Sequence, residues 1–193
     1  LALYKTYEEG IEVMGQTIGA TLDGMRVIGW LAEDILSSVG LGDVVLDENH
    51  WYPQQEWLDA FKLIAGRTGD ATLRQIGKTI IENAALPPMS SIEEALEGID
   101  IAYHMNHRNA KGQVLFDPSR PNPMLEGIGH YAYQKVPDEN KAIMTCDNPY
   151  PCAFDMGIVI AFVQRFDKRA KIHHDDDECR MKGDNACKYI VTW

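Results

Sequence analysis

The sequence predicts an α+β protein, with a helical N-terminal half packed on an antiparallel β-sheet and a C-terminal helix and hairpin pinned by a metal. Three observations carry this reading. Apolar residues recur at helical spacing through most of the chain from Tyr7 to about Arg108, and they alternate at strand spacing in several later stretches. All four cysteines, Cys146, Cys152, Cys179 and Cys187, follow residue 145.

Taken in order, Ile11, Met14, Ile18, Leu22, Met25, Ile28, Leu31 and Ile35 predict one long or two short amphipathic helices over Tyr7 to Gly40. Trp51-Tyr52-Pro53 then enters a helix carrying Trp57, Leu58, Phe61, Ile64 and Ala65, closed by Gly66 or Gly69. Asp70 is placed to cap the next helix, with Leu73, Ile76, Ile80 and Ile81. Pro87 and Pro88 interrupt the pattern, and Ser90 with Glu93 has capping-box spacing for a helix running to about Arg108. Lys111 to Pro123 has loop composition. Gly129 to Val136 and Lys141 to Thr145 predict a hairpin, and Pro151 opens a helix with Phe154, Ile158, Val159, Phe162, Val163 and Phe166 on its buried side. Two short strands, near Arg169 to His173 and Lys188 to Trp193, close the chain.

With 193 residues, 45% of them hydrophobic and 24% charged, the chain is expected to form a single domain over 1–193. Residues 1–50 form its helical N-terminal segment and 51–193 its core. The 18 basic residues against 29 acidic ones, a formal charge of −11, argue against direct nucleic-acid binding. No apolar run approaches the roughly 20 residues that span a bilayer. The beginning of the chain shows no basic-then-apolar leader, and the expected location is cytoplasmic.

The cysteines carry the chemical signal. Cys152 falls in the first turn of a helix, where free N–H groups and the helix dipole favour a thiolate. Cys179 and Cys187 flank Gly183-Asp184, which lets a turn bring their sulfurs together. Three thiolates and one nitrogen or oxygen make a structural zinc site, and the run His173-His174-Asp175-Asp176-Asp177-Glu178 offers the fourth ligand. Two disulfides, or unrelated buried thiols, are the competing readings.

The segments Cys152-Ala-Phe-Asp-Met-Gly157 and Cys179-Arg-Met-Lys-Gly183-Asp184-Asn-Ala-Cys187-Lys-Tyr-Ile-Val191 resemble the C-terminal part of the 4-vinyl-reductase-like domain. That family includes sensor domains of phenol- and xylene-responsive activators and is similar in fold to haem nitric-oxide-binding domains and Golgi-tether subunits. The resemblance implies a structural zinc held by Cys152, Asp176, Cys179 and Cys187. Asp176 stands where those relatives use Glu, which leaves Glu178, His173 and His174 as alternatives; Cys146 lies outside the set. It also implies a pocket between helices and sheet for a small hydrophobic or aromatic ligand, lined by His104 with Tyr131 or Tyr133, and a homodimer formed through the N-terminal segment. Helical periodicity, in contrast, sets His104 on a polar flank beside Glu97 and Asp100.

The function these features predict is ligand sensing without catalysis. Two other classes are compatible with the residue inventory. One is a cysteine hydrolase using Cys146 or Cys152, with His104 or His130 as base and Asp147 or Asp155 as orienting group. The other is a haem sensor with His104 or His130 as axial ligand.

Overall fold

A computed structural model of the chain describes residues 3–24, 47–84, 86–175 and 177–193, together with Gly29, Asp34 and Ser37. The order of its elements begins with β1 (Glu12–Met14), α1 (Gly15–Gly24), β2 (Trp51–Pro53), α2 (Gln54–Thr68) and α3 (Asp70–Asn83). It continues through α4 (Ile92–Met105), β3 (His107–Arg108), β4 (Tyr131–Lys135), β5 (Lys141–Cys146), α5 (Cys152–Gln164), β6 (Lys171–His174) and β7 (Cys187–Thr192). Helices and two antiparallel sheets make the predicted α+β architecture.

The four-stranded sheet has the order β4-β5-β7-β6. Its register sets Tyr131 opposite Cys146 and Cys146 opposite Cys187, so the start of β4, the end of β5 and the start of β7 lie side by side. In β5 and β7 every second residue is buried, Ala142, Met144 and Cys146 against Cys187, Tyr189 and Val191. That alternation is the pattern of a sheet with one face on the core.

Helix α5 is the centre of the molecule. Every residue from Cys152 to Val163 is buried, which is the mark of a core helix rather than an amphipathic one, while Phe166, expected on the buried side, lies past the end of the helix and is exposed. It packs on α3, α4, β6 and β7. Against α3 the two backbones meet at Gly77 and Gly157, where a Cβ on Gly157 would lie 2.2 Å from the Arg74 carbonyl oxygen. The rest of the core is aromatic and branched-aliphatic, with Trp57, Phe61, Ile64, Leu73, Ile76 and Leu96 at 0–1% exposure. Trp57, Phe61, Phe154 and Tyr150 interlock edge-on or tilted at centroid separations of 4.8–5.5 Å.

Local signals mostly match these elements. Gly69 joins α2 to α3 at φ +79, a conformation that suits glycine, so it and not Asp70 caps α3. The cap of α4 is displaced one residue from expectation: the Ser91 hydroxyl accepts from the Glu94 N–H, and the Glu94 carboxylate reaches back to the Ser90 N–H.

Two expectations are corrected. The helical spacing of Ile11 and Met14 belongs to a strand, because Val13 pairs with both Tyr52 and His107 in a three-stranded sheet of order β2-β1-β3. The same pairing ends α4 at Met105, and the Asn106 side-chain amide donates to the Ala102 carbonyl as the helix stops. Met25, Ile28, Leu31 and Ile35, on which the expected dimerisation segment largely rests, lie outside the described residues. Among the described residues no helix is long and apolar enough to cross a membrane.

A candidate metal centre and a buried histidine

Four elements converge on one point at the C-terminal end of the sheet. Cys152 is the first residue of α5, His174 the last of β6, Cys179 caps a short 3-10 turn (Arg180–Lys182), and Cys187 opens β7. Their ligand atoms all lie within 4.8 Å of one another. The sulfur separations are 3.2 Å for Cys152–Cys187, 3.7 Å for Cys152–Cys179 and 3.9 Å for Cys179–Cys187. A tetrahedron with metal–sulfur bonds of about 2.3 Å has edges of about 3.8 Å, so the three thiols already stand near the spacing that zinc requires. All four cysteines are free thiols in this structure.

The Gly183-Asp184 pair explains the local geometry. Gly183 takes φ +98 to close the turn, and the Asp184 carboxylate accepts the Cys179 backbone N–H at 2.9 Å. These contacts aim Cys179 at Cys187. On the other side a cavity of about 540 Å³, lined by Cys152, His174 and Cys179 with Arg74, Met156 and Lys182, opens over three of the four groups. Cys187 is fully buried behind them.

The fourth group in this cluster is His174. Asp176 lies outside the described residues. Glu178 forms an ion pair with Lys188, and His173 lines the neighbouring cavity without joining the four-membered cluster. Among the thiols, Cys187 is the one that Arg180 faces, and its hydrogen bond with Cys152 together with that guanidinium pulls it below the ordinary thiol value. Cys152, on the other side of that bond, is pushed up.

Arg180 and Asp155 had no predicted role at this site and are central to its packing. Arg180 is 4% exposed and Asp155 fully buried, and they form an ion pair. Asp155 also accepts from the Tyr131 hydroxyl at 2.6 Å and the Tyr189 hydroxyl at 3.3 Å. Burial pushes the Asp155 carboxyl up to about 6 against the pull of Arg180 and Tyr131. The CxxxGDxxC spacing contains Arg180, but nothing in the sequence distinguishes this arginine from a solvated one.

The second centre lies on α4. His104 is fully buried, which corrects the polar-flank expectation: helical phase sets it near Asp100, and His130, just before β4, stacks on its ring there. Its Nδ1 donates to the Asp100 carbonyl at 2.8 Å, while its Nε2 is buried and makes no hydrogen bond. Burial lowers its pKa, so it is neutral, with the Nε2 lone pair open. Tyr131 is buried with its hydroxyl committed to Asp155, and Tyr133 is half-buried on the same strand face.

His130 differs from its stacked neighbour His104, whose ring centroid is 5.0 Å away. Its Nδ1 donates to Asp100 at 3.0 Å and its Nε2 to Glu126 at 2.9 Å. The Asp100 bond, with help from Glu126, raises its pKa to about 9 against the effect of burial. With the folded value above the unfolded one of about 6.5, the stabilisation is complete below pH 6.5 and is lost as pH rises through 9. The expected result is a His130 imidazole titrating near 9 by NMR. In urea unfolding, the wild-type advantage over His130→Gln should be present at pH 6 and absent at pH 10.

The hydrolase arrangement is not assembled. His130 has both nitrogens on carboxylates, His104 has Nδ1 on a backbone carbonyl, and no hydrogen bond joins either to Cys146 or Cys152. Cys146 is buried opposite Cys187, and burial pushes its thiol up, away from a reactive thiolate.

No family model matches the chain, and no curated protein matches it. Solved structures do. A triple mutant of an H-NOX protein from S. oneidensis in the Fe(II) ligation state superposes with a TM-score of 0.66 at 18% identity, over 93% of this chain and 95% of that one. The Fe(II)NO state of an H-NOX protein from S. oneidensis gives 0.65 at 18%, over 92% and 97%. A structure from work on haem distortion in the H-NOX family gives 0.63 at 15%, over 93% and 94%. At these identities the likeness establishes a shared fold.

Proposed function

We propose that the protein is a small-molecule sensor domain whose interior ligand engages His104, with haem as that ligand, and whose C-terminal quarter is held by a structural zinc ion on Cys152, His174, Cys179 and Cys187. The observation that carries the sensing role is the open Nε2 of His104. A buried imidazole with its Nδ1–H fixed on a carbonyl presents a neutral nitrogen in the form that metals take, and leaving it without a partner costs about 1–3 kcal/mol. The domains of similar fold are described in terms of haem and Fe(II) ligation.

Haem, if bound, would be held through the His104 Nε2 and would supply an iron able to take a small gas molecule. The chain's own part is to hold the His104 tautomer through Asp100 and to exclude water from Nε2. Tyr131 and Tyr103, whose ring centroids are 5.3 Å apart, connect that region to Asp155 and the thiol cluster. Ligand binding then shifts a conformational equilibrium that a partner reads. The second reading keeps His104 and changes the ligand. An aromatic molecule bearing a hydroxyl would donate to the same lone pair, as the resemblance to phenol-responsive domains implies.

Hemin titration separates the two. A Soret band saturating near one equivalent, lost in His104→Ala and retained in His130→Ala, is expected. A band unaffected by His104→Ala, or no band, would overturn the haem reading; in the second case, thermal stabilisation by phenol that disappears in His104→Ala would establish the aromatic one.

In the metal centre the zinc fits as a structural ion, because three thiolates and an imidazole fill a tetrahedral shell and leave no position for a substrate.

A further inference from the structure

The Cys187 sulfur receives two N–H donors from a single residue. The backbone N–H and the guanidinium Nε of Arg180 both lie 3.4 Å from it. The same guanidinium donates from NH1 to the Asn148 side-chain oxygen at 3.0 Å and to the Asn148 carbonyl, and from NH2 to Asp155. Every edge of the fork is therefore used in a site with almost no solvent. A fully buried guanidinium is costly unless an anion and further acceptors face it, and Arg180 lies between the Asp155 carboxylate and the Cys187 sulfur. Three thiolates and a neutral imidazole around a dication carry a net charge of −1, which a guanidinium at the sulfur offsets without occupying a coordination position.

We propose that Arg180 is the positioning residue of the metal centre: it clamps the Cys187 sulfur toward Cys152, Cys179 and His174 and neutralises the loaded site. This deepens the zinc assignment and rests on it. A lysine keeps the charge but has neither the Nε geometry nor the planar fork that reaches sulfur, carboxylate and amide at once. Asp155 and Asn148 hold the guanidinium from behind, so the clamp is built from α5, the loop before it and the 3-10 turn together.

The test compares wild type, Arg180→Lys and the double variant Asp155→Asn with Arg180→Met. The double variant removes the buried ion pair as a unit and carries the test if the single variant does not fold. Zn(II) affinity is read by chelator competition, and the thiolate-to-metal charge-transfer band is read with Co(II). The expected outcome is Zn(II) binding weakened by roughly 10- to 100-fold, with a shifted Co(II) band, in a chain whose metal-free circular dichroism is unchanged. A merely structural role would not move the Co(II) band. Wild-type affinity and spectrum in either folded variant would overturn the proposal and leave the zinc assignment standing; a wild-type chain that takes up neither metal would overturn both.

Discussion

Cys179→Ser is expected to release the zinc and lower the melting temperature by about 10 °C, the shift that about 3–5 kcal/mol produces in a domain of this size at roughly 2–4 °C per kcal/mol. Cys179 stands in one cluster with the first residues of α5 and β7, which a zinc ion would tie to the 3-10 turn, and its own N–H is already fixed on Asp184. Removing one of four ligands leaves the other thiols 3.2 Å apart around an incomplete shell. A chelator acting on wild type should reproduce the melting shift, and Cys146→Ala should keep its zinc, since Cys146 is outside the cluster. Metal analysis with differential scanning calorimetry checks all three. A metal-free wild type with an unchanged melting point would refute the assignment.

Gly157→Ala should cost about 3 kcal/mol, the upper end of ordinary overpacking. The added methyl would meet the Arg74 carbonyl oxygen at 2.2 Å and the Gly77 Cα at 3.1 Å, and these are backbone atoms of α3 that no rotamer change can move. Its better helix propensity returns about 1 kcal/mol, too little to reverse the sign. Gly66→Ala is the control: Gly66 lies within α2 with open space around its Cβ position, so that change should stabilise by about 0.5–1 kcal/mol. Urea unfolding of both variants reads the difference, and a neutral Gly157→Ala would mean that α3 and α5 do not meet there.

The two glycines show where sequence reading ends. Gly77 and Gly157 sit inside helical patterns and look, in one dimension, like weak helix positions; only the crossing of α3 and α5 gives them a purpose. The same holds for Ile11 and Met14. Their spacing fits a helix, and the strand arises because Val13 finds partners at Tyr52 and His107, far along the chain. Caps and turns were legible, to within a residue, because Ser91, Gly69 and Gly183 act on their immediate neighbours.

That Cys152, Cys179 and Cys187 meet at one candidate metal centre was legible, because thiolate chemistry and the CxxxGDxxC spacing restrict the choice of partners. The fourth group was not. Among the described candidates His173, His174 and Glu178, which are close in sequence, β6 alternation together with the ion pair of Glu178 to Lys188 sets which side chain joins the sulfurs, and it is His174. Arg180 was invisible for a similar reason, since an arginine between two lysine- and aspartate-bearing stretches reads as solvated until Asp155 and Cys187 are brought to it.

By itself the sequence determined the class of fold, the order of most elements and the three cysteines that meet at one centre, because periodicity, capping and cysteine spacing are local properties of the chain. Tertiary structure alone decided that His104 is buried with an open nitrogen and that Arg180 lies against a thiol. It also decided that α5 is enclosed on all sides. Burial is set by what packs over a residue from elsewhere in the chain, and it is burial that separates His104 and Arg180 from solvated residues of the same types.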